Sequence, residues 1–202
     1  MNVATLEKGR QTRSRIVRVA AELFRKNGYH NTSLNEVLKA AGLTKGGFYF
    51  HFRSKEELGD AVIDYMREFW VNNVLEEVAN ENGAIRKIEK MFEIMIDTHE
   101  GNVFHGCALL AVLTAEMMES QHPFSDRLRK IYRDWQSSIT EILEQGKREG
   151  LFKESMNPKS LALLIIGTLQ GTTMMAHLDE EHIDLSWLFR NLRLLLLEGV
   201  AS

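Results

Sequence analysis

The chain is poor in the residues that staple or interrupt a fold. It has one cysteine, Cys107, and two prolines, Pro123 and Pro158, in 202 residues. A single cysteine excludes an intrachain disulfide framework. With no apolar N-terminal signal segment, that places the protein in a reducing cytosol, a cytoplasmic localisation. Alternating runs of Val, Ile and Thr are missing, so helices are favoured throughout. The patterns GxxxxGKS/T, HExxH and GxSxG are absent too, and neither an enzyme's nucleophile, base and orienter nor a cofactor site can be read from the chain. Long uncharged stretches are also scarce. Residues 160–178 reach the length of a bilayer span without a formal charge. Thr168, Gln170, Thr172, Thr173 and His177 make this segment too polar for that role, and it lacks flanking basic anchors. No membrane association is expected.

The net charge of -3 conceals a polarity. Residues 1–55 hold eleven Lys or Arg against Glu7, Glu22 and Glu36, a formal +8, and residues 56–202 hold fourteen basic against twenty-five acidic residues, a formal -11. A basic head on an acidic body suits a protein whose one end docks on a polyanion. Charge alone is equally compatible with a solvated basic surface.

Helical periodicity runs the length of the chain. Ile16, Val19, Ala20, Leu23 and Phe24 form the first apolar stripe, closed by Gly28. Ser33 with Glu36 has capping-box spacing and opens a short helix through Leu34, Val37, Leu38 and Ala41, which Gly42 ends. Thr44 caps a third short helix that reaches about His51, and Ser54 with Glu57 opens a long one. Further helices are expected at about 84–98, 107–119, from Pro123 to a stop at Gly150, from Pro158, and through Leu185 to Leu196, giving nine in all. The last two are apolar on more than one face, which predicts a homodimer through them, and Gly167 and Gly171 permit close backbone approach.

Residues 32–55, TSLNEVLKAAGLTKGGFYFHFRSK, carry the chemistry. Two short helices around a glycine turn are the parts of a helix-turn-helix, whose second helix enters the DNA major groove. Lys45, Tyr49, His51 and Lys55 reach phosphates or base edges, and Gly46 and Gly47 allow close backbone approach. Phe48 and Phe52 hold the helix to the core.

Phe24, Gly28, Tyr29, Thr32, Ser33 and the run AGLTKGGFYFHFRSKEEL resemble the DNA-binding domain of the TetR family of repressors over about residues 10–60. Val37 and Leu38 stand where the family usually has isoleucine-alanine. The resemblance implies that Thr44, Lys45, Gly47, Tyr49, His51 and Lys55 contact operator DNA and that Ser33 meets phosphate. Beyond residue 60, Gly106 and Cys107 through Glu116, and GKREGLF at 146–152, are similar to a common regulatory domain of that family. The implied architecture is all-α: a three-helix head, residues 1–54, on a six-helix ligand-binding and dimerisation body, residues 55–202. The implied function is a dimeric repressor of a pseudo-palindromic double-stranded DNA operator, released by a small-molecule effector. Two heads reading successive grooves set half-sites about 34–36 Å apart.

Polar groups within apolar helices are the candidates for an effector site: His99, His105, Cys107, Thr114, Glu116, Met117, Trp135, Gln170, Thr173, Met174 and His177. Such a set describes a mostly apolar cavity with a few hydrogen-bonding groups. Each residue also fits a core or interface role. Cys107, beside Gly106 and near His105, fits a thiol sensor of electrophiles or oxidants if a cation lowers its pKa, and fits a small buried hydrophobe otherwise. His177, Asp179, Glu180, Glu181 and His182 lack a recognisable ligand spacing, so no metal site is expected. A helical adaptor that binds only proteins explains the open apolar helices but not the basic head. A steep fall of DNA affinity with salt separates the two readings.

Overall fold

The computed structural model describes residues 3–100, 106–118, 122–179 and 181–200. Among them the chain is helical, with no β-strand. The head consists of α1 (Val3–Asn27), α2 (Leu34–Ala41) and α3 (Lys45–Tyr49). A long rod follows: α4 (Lys55–Trp70), a π-helical turn (Val71–Leu75) and α5 (Glu76–Ala79). Then come α6 (Ala84–Glu100), α7 (Gly106–Met117), α8 (Phe124–Arg148), α9 (Pro158–Leu178) and α10 (Leu185–Val200). With α4 to α5 taken as one rod, nine rods are present among the described residues: three in the head and six in the body.

Local chemistry sets the boundaries. Ser33 and Glu36 form the reciprocal capping box, the Glu36 N–H donating to Ser33 Oγ and the Ser33 N–H to Glu36 Oε2. Gly42 adopts φ 63°, a left-handed conformation that glycine tolerates without strain, and turns the chain into α3. The hydroxyls of Thr44 and Ser54 accept the N–H groups of Gly47 and Glu57. Asn157 caps α9, with Pro158 in its first turn.

Three expectations shift. α3 ends at Tyr49 rather than about His51, because the N–H groups of both His51 and Phe52 turn back on the Phe48 carbonyl. The buried face of α1 is centred on Ile16, Val17, Ala20, Ala21 and Phe24, with Val19 and Leu23 at its margin. The π-turn was not foreseen, since VNNVL contains no helix breaker. Its wide hydrogen bond runs from the Glu76 N–H to the Val71 carbonyl.

One apolar core runs through head and body, from Ile16 and Phe48 past Phe124 to Leu196. Two close approaches fix the frame. A Cβ on Gly59 of α4 would lie 2.3 Å from Phe124 Cζ, and one on Gly146 of α8 would lie 2.1 Å from Phe152 Cε2. Arg127 of α8 also ties α4 down, bonding Asp60 Oδ1 at 2.6 Å and Asp64.

α9 is long and apolar enough, by length and composition, to cross a membrane. Its Ala162, Ile165, Ile166, Leu169, Gln170, Thr173 and Ala176 are buried against the rest of the body. Its other face leaves Leu163, Leu164, Met174, Met175 and Leu178 in solvent, and α10 adds Trp187, Leu194 and Leu195. Gly167 and Gly171 lie within this open stripe, with nothing near where a Cβ would sit.

Candidate nucleic-acid interface and effector cavity

α3 is pinned to the head from behind. Phe48 and Phe52 are fully buried beneath it, their ring centroids 5.7 Å apart. Outward it presents Thr44, Lys45, Gly46 and Tyr49, with Phe50 82% exposed beyond them and Gly47 and His51 partly open. No Cβ would clash at Gly46, so its open backbone leaves room for another molecule. Ser33 is exposed at the start of α2, its hydroxyl already serving as the cap. Desolvation and the nearby Arg13 charge push the His51 pKa down, which disfavours the charged imidazolium there. Lys55 differs from the other candidates. Its ammonium sits 4.4 Å above the Tyr29 ring and donates to the His30 carbonyl at 3.4 Å, which holds it toward the α1–α2 turn.

The head meets the body through that turn. Glu116, near the end of α7, accepts the N–H of Tyr29 at 2.6 Å and that of His30 at 3.1 Å. The Tyr29 ring packs edge-on against Phe24, His122 and Phe124, and burial pushes its phenol pKa up to about 12. Glu116 stood among the effector candidates at the level of sequence; its carboxylate is engaged by the head instead.

A cavity of about 410 Å³ lies in the body. α4 and the π-turn contribute Met66, Trp70 and Val74, α6 contributes Thr98 and His99, and α7 contributes Gly106, Cys107 and Leu110. Trp135, Thr173 and His177 close it from α8 and α9. The Trp70 and Trp135 rings stack at 4.4 Å, and the Nε1 of each is buried without an acceptor. Arg25 of α1 reaches the wall, but its guanidinium is held by Glu22 at 2.8 and 3.1 Å, and those bonds lower the Glu22 pKa to about 2. Cys107 is half-buried where it lines the cavity, and desolvation pushes its thiol pKa up to about 12.

Five of the effector candidates therefore share one wall: His99, Cys107, Trp135, Thr173 and His177. Thr114 and Gln170 belong elsewhere, in a chain in which the Tyr132 hydroxyl meets Thr114 at 3.0 Å and Gln170 at 3.3 Å. Met117 is core, Met174 lies on the open face of α9, and His105 falls outside the described residues. The sequence reading missed Trp70 and Arg25. Met66, Trp70 and Val74 recur every four residues and carried a usable signal; Arg25 looked like a solvent charge. Near residues 177–182, Asp179 pairs with His182 at 2.7 Å. Among the described residues no cluster suited to a metal occurs.

A helix-turn-helix head joined to a helical body with a largely apolar cavity defines a class of regulators rather than a single protein. The sequence matches the pattern described as bacterial regulatory proteins, tetR family, over residues 16–62, and the tetracyclin repressor-like C-terminal domain over residues 84–192. The chain belongs to the TetR family of DNA-binding transcriptional regulators. It is 28% identical to an uncharacterized HTH-type transcriptional regulator of Lactococcus lactis, covering 85% of this chain and 86% of that one. It is 23% identical to the fatty acid metabolism regulator protein of Bacillus subtilis, over 92% and 93%. The crystal structure of a TetR transcriptional regulator from Chloroflexus aurantiacus superposes with a TM-score of 0.84 at 28% identity, covering 96% of this chain and 98% of that one.

Proposed function

We propose that this chain is a repressor that binds a pseudo-palindromic operator as a homodimer and lets go when a small, mostly apolar effector fills the cavity. It acts in the cytoplasm, where its operator is, and performs no catalysis. The carrying observation is the presentation of α3: exposed Thr44, Lys45, Gly46 and Tyr49 over a fully buried Phe48. Residues 1–54 form the reading head and residues 55–202 the effector and pairing body. Ser33, Thr44, Lys45, Gly46, Gly47, Tyr49 and His51 contact the duplex, and Lys55 supports the turn behind them.

The open apolar stripe of α9 and α10 supplies the pairing surface, because so large an exposed patch is unstable in water. The cavity wall favours an uncharged, largely apolar effector with a few polar atoms. Its thiol is protonated and Arg25 is already matched by Glu22, while Thr98, His99, His177 and Thr173, whose hydroxyl donates to the Leu169 carbonyl, give the wall a few uncharged or titratable polar groups. The relative named for fatty acid metabolism agrees with an apolar effector. Effector binding that shifts α4 or α7 misaligns the two heads, and by linkage DNA and effector weaken each other.

The test is enrichment of duplex from a random pool by the purified protein, repeated with Tyr49→Ala. Tyr49→Ala is expected to lose operator binding and to keep its oligomeric state. A wild-type chain that enriches no duplex at low salt overturns the reading.

A further inference from the structure

The cavity wall holds two donors that nothing in the chain accepts. Trp70 closes α4 where the π-turn begins, Trp135 lies in α8, and both line the cavity. They are 8% and 5% exposed, and among the described residues neither indole Nε1 has an acceptor. A buried N–H left unpaired carries a desolvation penalty that native cores seldom tolerate, and two on one wall call for a shared acceptor. Gln170 Nε2 and Thr140 Oγ1 are buried and unpaired as well, but neither residue lines the cavity.

The two indoles are held as a unit. Their ring centroids lie 4.4 Å apart with the planes tilted by 32°, so one small molecule spans both. Beside them Arg67 of α4 faces Asp134 of α8 at 3.9 Å, and Tyr132 packs edge-on against Trp135. Both nitrogens are shut from solvent within the wall, so an acceptor reaches them only when the indoles slide against each other. That sliding moves the end of α4, the rod that begins just after the recognition helix.

The rest of the wall decides which acceptor fits. No Asp or Glu lines it among the described residues, so a cationic effector finds no counter-charge. Arg25 is paired with Glu22, so a carboxylate would have to displace that partner. The Thr173 hydroxyl donates its proton to the Leu169 carbonyl and offers none to a ligand. A neutral carbonyl oxygen, with two lone pairs and apolar substituents, matches two adjacent donors set in an apolar wall.

We propose that the effector is an uncharged carbonyl compound, a ketone or ester, whose oxygen accepts hydrogen bonds from the indole N–H groups of Trp70 and Trp135. This rests on the reading of the cavity as the effector site and names the chemistry that the site selects.

The test uses two ketones, acetophenone and methyl octyl ketone, each beside the alkene in which a methylene group replaces the carbonyl oxygen. Affinities for the full chain are titrated, and the indole N–H signals of Trp70, Trp135 and the exposed Trp187 are followed by NMR. An apolar wall without donors favours the alkene, since burying an unpaired carbonyl is costly. Here each ketone should bind about tenfold tighter than its alkene, and the Trp70 and Trp135 protons should move downfield with the ketones alone. Trp70→Phe and Trp135→Phe should each cut the preference to about threefold, and the alkene affinity of the same variant accounts for lost packing. Equal or reversed preference, with wall residues such as Val74 and Leu110 perturbed, overturns the donor pair and leaves the effector cavity standing. A preference that survives unchanged in both variants overturns it too. Probes that perturb no wall residue overturn the donor pair and the effector cavity together, while duplex enrichment tests the α3 reading on its own.

Discussion

Glu116 and Tyr29, 87 residues apart, are joined by a 2.6 Å hydrogen bond from the Tyr29 amide to the Glu116 carboxylate. The same carboxylate takes the His30 amide, so one side chain of α7 holds the turn that leads into the helix-turn-helix. The other end of α7, at Gly106 and Cys107, lines the cavity. α7 is therefore a direct connection from the effector cavity to the head.

Glu116→Ala leaves two amides without their acceptor, a loss of about 1–3 kcal/mol. Hydrogen exchange at Tyr29 and His30 should speed up, and the thermal midpoint should fall. Glu116→Gln keeps one acceptor oxygen and should give the smaller effect. Unchanged protection at both amides would remove the carboxylate from this role.

Gly59→Ala forces a methyl group to within 2.3 Å of Phe124 Cζ and 3.1 Å of Tyr29 Cε2. Phe124 is fully buried and has nowhere to swing, so α4 must move, at a cost of about 1–3 kcal/mol. Gly46→Ala meets nothing within 4 Å and raises helix propensity. It should hold or raise the melting temperature while weakening operator binding. Calorimetry beside a binding titration separates the two glycines.

Cys107 should be inert. With its pKa raised to about 12 by burial, the thiolate fraction at pH 8 is on the order of a thousandfold below that of an ordinary cysteine. Alkylation by iodoacetamide should be slow in the native chain and fast in denaturant, and Cys107→Ala should keep its response to effector. Rapid native alkylation would revive a thiol-sensing role.

Glu22 gives a pH signature. Its folded pKa is lowered from 4.5 to about 2, chiefly by the Arg25 hydrogen bond, so the stability it contributes is present above pH 4.5 and lost as pH falls toward 2. Glu22 is 46% exposed, which holds the contribution below about 1 kcal/mol. The midpoint gap between wild type and Glu22→Gln should be widest near neutrality and close below pH 4.5. A gap that grows on acidification contradicts this account.

Leu164 is 66% exposed in the middle of the open α9 stripe. Leu164→Glu should give a helical monomer by light scattering, with weakened operator affinity. A persistent dimer would place the pairing surface elsewhere.

The head was legible in the sequence because its signals are local. Ser33 with Glu36, Gly42 and Thr44 each act within four residues, and each forms the cap or turn its type implies. The cavity was only half legible, since its walls come from elements far apart in the chain. His99, Cys107, Trp135, Thr173 and His177 carry polarity on apolar helices and could be nominated, but so could Thr114 and Gln170, which bond to Tyr132 instead. The Glu116 contact with the head left no trace, because a carboxylate within an apolar helix reads as an effector contact until the turn it caps is beside it.

The length of α1 brings leverage. About 30 Å of helix separate Gly28, seated at the body, from Lys8 at the far end. Each degree of tilt about the seated end swings the tip by about half an ångström. A displacement at the cavity wall too small to disturb packing near Arg25 thus becomes a shift of a bond length or more at the tip.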